Sequence, residues 1–440
     1  MRAVTAIGLG LLAAGGALAA AACGTADASS TATVRVWAFG REGEVVEQLM
    51  PEFERLNPGV RVEVQQIPWT AAHEKLLTAY VGDATPDVVP LGNTWVPEFV
   101  ALGALEPLEP WLRRSSAVPK GDYFPGIWDT NVVDSVVYGV PWYVDTHLIY
   151  YRTDLLAKAG YSSPPATWDA WMDAMRKIKA NTGGRGYAVL VPTNEWRPPV
   201  ILGVQTGSPL LKDDGRYGAF SDPAFRRAFQ FYVDLYRGGL APTLSTTEIA
   251  NLFQEFTAGT FAMYISGPWY IGEFSRRLPP EMQDKWMTAP MPAPPGDSAR
   301  PGVSLAGGAS LVIFRASQQK EAAWKLIEYL SQPQQQTRFY ELTGDLPARL
   351  RAWEGPALAE NKYARAFREQ LQRVVPTPKV PEWESIATKI YEHGETAIRG
   401  GASVDQALAA LDRDVNQILE KRRWMMAQAA ERAAERRGGQ

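Results

Sequence analysis

From residue 33 onward the chain alternates short segments of strand pattern with longer segments of helix pattern, and this alternation restricts the fold more than any other feature. "TVRVWAFG" sets Val34, Val36 and Ala38 against polar neighbours, the period of two that a half-buried strand needs. "EVVEQLMPEFERLNPGV" then carries Val45, Val46, Leu49, Phe53 and Leu56 at helical spacing until Asn57, Pro58 and Gly59 stop it. A strand "VRVEVQQI", a helix "TAAHEKLLTAYVGD" and a strand "PDVVPLG" follow. Such alternation predicts βαβ units and a mostly parallel sheet, with ligands in the loops off the strand ends. Those loops are "FGREGE", "PWTAAH" and "LGNTWVPE".

A second α/β region follows "YGVPWYVDTHLIYYRTDLLAKAG", itself a strand pattern leading into a helix. "TWDAWMDAMRKIKANTGG" is a predicted helix with Thr167 as N-cap, "YAVLVP" a strand, and "SDPAFRRAFQFYVDLYRGG" a helix with Ser221 as N-cap. "IANLFQEFTAGTFAMYISGPW" reads as helix, glycine turn and short strand. The Pro-rich "PMPAPPG" breaks the pattern before strand "ASLVIF" and helix "QKEAAWKLIEYLS", and the remainder is mainly helical. Beyond Trp424 no apolar stripe is sustained, so residues 425–440 are expected to fray. Two α/β regions with a Pro-rich re-entry fit two lobes around a cleft.

The N-terminus is an export signal: Arg2, an apolar run over residues 3–18, then small residues. It is too short and Gly-rich for a stable membrane-spanning helix. The stretch before Cys23 resembles a bacterial lipobox, in which the cysteine is lipidated and becomes the new N-terminus. Its usual Leu three residues earlier is Ala20 here, and an ordinary cleaved signal is the alternative. Residues 1–22 are therefore read as signal peptide and 23–32 as lipidated Cys23 plus a polar tether. Cys23 is the only cysteine, which excludes a disulfide framework, a thiolate metal site and a cysteine nucleophile in the fold.

A formal net charge of −3 gives no reason to expect nucleic acid as a partner. No G-x-S-x-G, Walker or H-E-x-x-H motif is present outside the signal, and His73, His147 and His393 lie far apart. Neither metal nor cofactor is expected. What recurs is an aromatic beside a polar group in the loops. Trp37 accompanies Arg41 and Glu42, Trp69 stands alone, and Trp95 follows Asn93 and Thr94. Trp142 and Tyr143 precede Asp145, Asn194 and Glu195 precede Trp196, and Trp269 is followed by Tyr270. Sugars need this pairing: their C–H faces stack on aromatic planes and their hydroxyls bond to carboxylates, amides and guanidinium groups. Structural alternatives stand beside it, with Arg41 and Glu42 as a helix-terminal ion pair and Asn93 as a turn former. Asp145 is the sharper signal, because a carboxylate among aromatic rings needs a partner.

"YGVPWYVDTHLIYYRTDLLAKAG" with "PPATWDAWMDAMRKI", "FQEFTAGTFAMYISGPW", "LAGGASLVIFRASQQKEAAWKLIEYL", "TGDLPAR" and "PKVPEWESI" resembles the sugar-binding, family 1 extracellular solute-binding proteins of bacterial ABC importers, across most of residues 34–420. The maltose- and trehalose-type proteins are nearest in look. The resemblance implies an α/β, two-lobed periplasmic-binding-protein fold of type II, each lobe a mostly parallel sheet flanked by helices, joined by a multi-crossing hinge. It implies lobe one at 33–143 plus 304–343 and lobe two at 147–302 plus 349–424. Crossings fall near Tyr143 to His147, Val303 to Gly307 and Leu342 to Arg349. By position, Tyr143 and Asp145 match the family's binding-strand tyrosine and aspartate, and Trp269 its stacking tryptophan. Gly308 matches its close-approach glycine, Arg349 its sugar-binding arginine, and Glu42 an acid of the first loop. Where some relatives carry Asp, this chain has Gly92 and Asn93.

The function so implied is capture without chemistry. A glucose-containing disaccharide or oligosaccharide such as maltose or trehalose is bound by hinge closure and passed to an ABC permease. The protein is expected to be a monomer, outside the cytoplasm, and held to the membrane by its lipid. Two alternatives remain: a secreted glycoside hydrolase with Asp145 and Glu195 as the carboxylate pair, and a sensory sugar-binding lipoprotein.

Overall fold

The computed structural model describes residues 31–296 and 302–438. The expected export signal and Cys23 lie outside the described residues. Two sheets organise the rest. The larger runs in the order Leu346–Pro347, Val140–Asp145, Gly307–Ile313, Val88–Gly92, Ala32–Phe39, Val60–Ile67. The smaller runs Trp286–Ala289, Leu148–Arg152, Phe261–Ser266, Tyr187–Leu190.

The predicted βαβ start is present. Ala32–Phe39 pairs in parallel with Val60–Ile67, in register from Ala32 against Val60 to Phe39 against Ile67, and also with Val88–Gly92. Helical segments over Gly40–Val46 and Met50–Leu56 bridge the first two strands and bury Val45, Val46 and Phe53. Parallel pairing stops there: Gly307–Ile313 runs antiparallel to both neighbours, and Leu346–Pro347 antiparallel to Val140–Asp145. In the smaller sheet only Phe261–Ser266 and Tyr187–Leu190 are parallel. Both sheets are thus mixed, the reversed strands being Gly307–Ile313 and Leu346–Pro347 in the larger and Leu148–Arg152 in the smaller.

Helices cover the smaller sheet through apolar faces. Pro223–Arg237 buries Phe225, Phe229, Tyr232 and Tyr236 at helical spacing. Its N-cap is Asp222, not Ser221. Pro223 takes the first helical position, where its missing N–H costs nothing, and Ser221 N–H instead donates to Asp412 Oδ2 at 2.8 Å. Thr167 does cap its helix, accepting from the Ala170 N–H.

The chain passes from the larger to the smaller sheet between Asp145 and Leu148, with only Thr146 and His147 between strands. It returns through Ser304–Leu305, which pairs with Val374–Val375, and enters the larger sheet at Gly307. The passage expected at Leu342 to Arg349 is not one. Leu346 and Pro347 pair with Val144 and Tyr143, and Trp353 packs edge-on against Phe124. The third passage lies between Trp353 and Tyr363, which stacks on Trp286 of the smaller sheet, and the later helix Trp383–Ile398 joins the core under that sheet. The tail expected to fray is helical over Glu420–Gly438, with Ala, Glu and Arg all favouring helix without need of a packed face. Among the described residues no helix is long and apolar enough to cross a membrane.

Candidate ligand cleft

A cavity of about 760 Å³ lies where the loop ends of the two sheets meet. On the larger-sheet side the first strand ends at Phe39, and Gly40 turns the chain with φ +53° directly into a helix. A Cβ at Gly40 would stand 2.7 Å from the Trp69 ring. The turn brings Arg41 and Glu42 to the cavity wall. Glu42 Oε1 accepts from the Tyr143 hydroxyl at 3.1 Å and from Trp69 Nε1 at 3.2 Å. Burial pushes the Glu42 carboxyl up, while its backbone bond, Trp69, Tyr143 and Arg41 pull the other way. Trp69 stands edge-on to Phe39 and to Trp95, with ring centroids 4.9 and 5.6 Å apart.

Asn93 and Thr94 follow the third strand and line the same wall. The Asn93 N–H donates to Gly308 O at 3.1 Å, and Ser310 Oγ donates to Asn93 Oδ1 at 2.9 Å. Its Nδ2 is buried without a partner. Gly308 has φ +115°, and a Cβ there would meet Tyr143 O at 2.2 Å, so only glycine fits this close pairing. Asp145 ends its strand with Oδ1 buried and no hydrogen-bond donor, His147 Nδ1 being 3.6 Å away. The pairing of Leu346 with Val144 sets Asp345 opposite Asp145. Burial, and next the Glu42 charge, push the Asp345 carboxyl up to about 8.

On the smaller-sheet side Trp196 leads into the helix Arg197–Gln205, with the Arg197 guanidinium 4.7 Å from its ring centroid. Trp383 meets Trp196 edge-on at 5.5 Å. Trp269 opens the helix Trp269–Arg277 and stays 39% exposed, a large apolar ring partly open to the cavity. Its ring lies against Gly267, where a Cβ would come within 2.0 Å of it.

The cavity therefore gathers Arg41, Glu42, Trp69, Asn93, Thr94, Tyr143, Asp145, Trp196, Trp269 and Gly308. Three of the expected residues do not line it. Glu195 Oε1 is taken by the Arg197 N–H at 3.2 Å and Nη1 at 3.1 Å. Burial raises the Glu195 carboxyl, but the Arg197 charge, His147 and the Arg197 hydrogen bonds together hold the group low. Tyr270 packs against Tyr264 with centroids 5.1 Å apart. Arg349 is 3% exposed; its Nε donates to Asp122 Oδ2 at 2.6 Å and its Nη1 to the Ala117 and Ser331 carbonyls. It turns inward because its backbone bridges to Tyr123 just after the short strand Leu346–Pro347.

Trp95, His147, Arg197, Asp345 and Glu384 line the cavity beyond the expected set. Trp95 stands in a loop already marked by its aromatic–polar pattern, whereas Asp345 reaches the site only through a two-residue strand pairing. Among the described residues no group of His, Cys, Asp or Glu is arranged to hold a metal ion.

Residues 40–337 match the model of the bacterial extracellular solute-binding protein family. The structure of the sugar-binding protein MalE from the phytopathogen Xanthomonas citri is similar at 51% identity and a TM-score of 0.86, covering 90% of this chain and 99% of that one. An ABC transporter solute-binding protein of Thermotoga lettingae, bound with α-D-tagatose, is 28% identical with a TM-score of 0.75, covering 88% of this chain and 100% of that one. The galactooligosaccharide-binding protein of Bacillus subtilis is 26% identical over 90% of this chain and 93% of its own length. With the shared fold and a cleft between two α/β halves, this chain belongs to the bacterial extracellular solute-binding proteins.

Proposed function

We propose that the protein captures a sugar outside the cytoplasm by closing the cleft and hands it to an ABC permease. A glucose-containing disaccharide or oligosaccharide such as maltose or trehalose is the proposed ligand. The observation that carries this reading is the wall chemistry of one cavity. Trp69 and Trp95 face it from the larger-sheet loops, Trp196 and Trp269 from the smaller-sheet loops. Between them the wall carries the Asp145 carboxylate and the Asn93 amide. Rings stack on sugar C–H faces, and a carboxylate and an amide suit hydroxyls. The volume is in the range of about 300–1,000 Å³ usual for small-ligand sites. The likeness to the sugar-binding protein MalE at 51% identity supports the same class of ligand.

In this reading the larger sheet and its helices form one lobe, extended past residue 343 to include Arg349, and the smaller sheet forms the other. Closure follows when a ligand touches both walls at once, since only differential binding to the closed state shifts the equilibrium. Cys23, directly after the export signal, would carry the lipid that keeps the monomer at the membrane. Hydrolysis by Asp145 and Glu195 is disfavoured, because Glu195 does not line the cavity and its Oε1 is held by the Arg197 N–H and Nη1.

A thermal-shift screen over maltose, trehalose, maltotriose and polyols tests the reading. A rise in melting midpoint with one of the sugars, recovered intact after incubation, is expected. No rise with any sugar would defeat the reading, and cleaved sugar would turn it towards a hydrolase.

A further inference from the structure

His147 sits in the two-residue passage between the sheets and is 3% exposed. Its ring touches one element from each side of the cleft. Nδ1 lies 3.6 Å from Asp145 Oδ1, which has no hydrogen-bond donor. The ring stands T-shaped to the Trp269 indole at 72°, with centroids 5.6 Å apart. Its carbonyl accepts from Ser304 Oγ at 2.8 Å, so the returning passage braces the outgoing one. The charged groups facing the ring are Asp145 from its own turn, and Glu195 and Arg197 at the start of the helix Arg197–Gln205. Burial holds the imidazole below its ordinary value, although Asp145 opposes the shift. A neutral ring offers one N–H and one lone pair.

We infer that His147 is a positioning residue that couples the Asp145 acceptor on one side of the cleft to the Trp269 stacking plane on the other. Its purpose rests on the sugar-capture reading; its geometry does not. With its proton on Nδ1, the ring presents to Asp145 Oδ1 the donor that oxygen lacks. At 3.6 Å that bond is open, and a shift of a few tenths of an ångström in the passage closes it. The ring meanwhile fixes the tilt of the indole. A sugar that bonds to Asp145 and stacks on Trp269 then meets both at one set spacing.

Imidazole proton–nitrogen NMR on the ligand-free chain tests the coupling directly, since three histidines give three assignable rings. Asp145→Asn should shift the His147 resonances and lower its pKa further, because the carboxylate supports the charged ring. Trp269→Ala should shift the same ring. If neither substitution moves His147, the coupling is overturned whatever the protein binds. Calorimetry with maltose adds the functional arm. His147→Phe keeps a ring but loses Nδ1, and should weaken binding about tenfold, with little further loss when Asp145→Asn is added. Fully additive losses overturn the inference. A wild-type protein that ignores maltose counts against maltose as the ligand, and leaves the decision on His147 to the NMR shifts.

Discussion

The Tyr143 hydroxyl donates to Glu42 Oε1 at 3.1 Å, tying the strand that leaves the larger sheet to the helix turn after the first strand. Trp69 donates to the same oxygen, so two ring-bearing walls of the cleft are set by one carboxylate. A phenol and an indole both need an acceptor when buried, and Glu42 serves both.

Glu42→Gln follows directly. An amide has one oxygen to accept with and must turn its NH₂ group towards a donor or the cavity. Sugar affinity should fall by about 1–3 kcal/mol. Titration calorimetry against wild type reads the change, and unchanged affinity would detach Glu42 from the site.

Trp269→Ala removes an exposed plane, not a core element. Binding should weaken by about 1–3 kcal/mol while the melting midpoint of the ligand-free protein barely moves. Equal affinity in the two proteins would show that the indole takes no part.

Arg349 carries a structural load. Arg349→Met leaves Asp122 without its charged partner beside the Tyr123 ring, and should destabilise the fold by about 3–5 kcal/mol. Urea denaturation measures this. A stable variant that has lost sugar binding would instead return Arg349 to the ligand.

Asp345 gives stability a pH signature. Its carboxyl rises from 3.8 unfolded to about 8 folded, so folding favours the protonated form. That stabilisation is complete below the unfolded value and is lost as pH climbs through the folded one. Asp345→Asn keeps the neutral state throughout. Its melting midpoint should gain on wild type as pH rises from about 4 to about 8 and then hold a constant lead. A lead independent of pH would exclude Asp345 as the titrating group.

Much of this arrangement was legible in the chain. The period-two runs at Val34–Ala38 and the helical spacing from Val45 to Leu56 are local signals, and the βαβ unit they spell is present. Loop aromatics beside polar groups pointed to part of the cleft lining, from Arg41 to Trp269, because loops at strand ends converge there. Pairing direction was hidden, since a strand's own pattern says nothing of its neighbour's heading. Leu346–Pro347 is too short for any periodicity, and its register alone brings Asp345 to the cavity and turns Arg349 inward. Arg349 misled because an arginine after "LP" reads alike whether it meets a ligand or a buried aspartate; only the Asp122 contact distinguishes them.

The segment from Arg349 to Tyr363 has a mechanical consequence. At one end Arg349 is fixed to Asp122 and the larger sheet's body. At the other, Tyr363 lies flat on Trp286 of the smaller sheet at 3.7 Å, and its carbonyl accepts from Thr288 Oγ1. Short helical turns at Leu350–Glu354 and Pro356–Ala359 fill the span. This third passage is therefore pinned at both ends and, unlike Thr146 and His147 in the first, puts no residue from Leu350 to Lys362 on the cavity wall. A substitution there would bear on how the two sheets are held to each other and leave the wall chemistry unchanged.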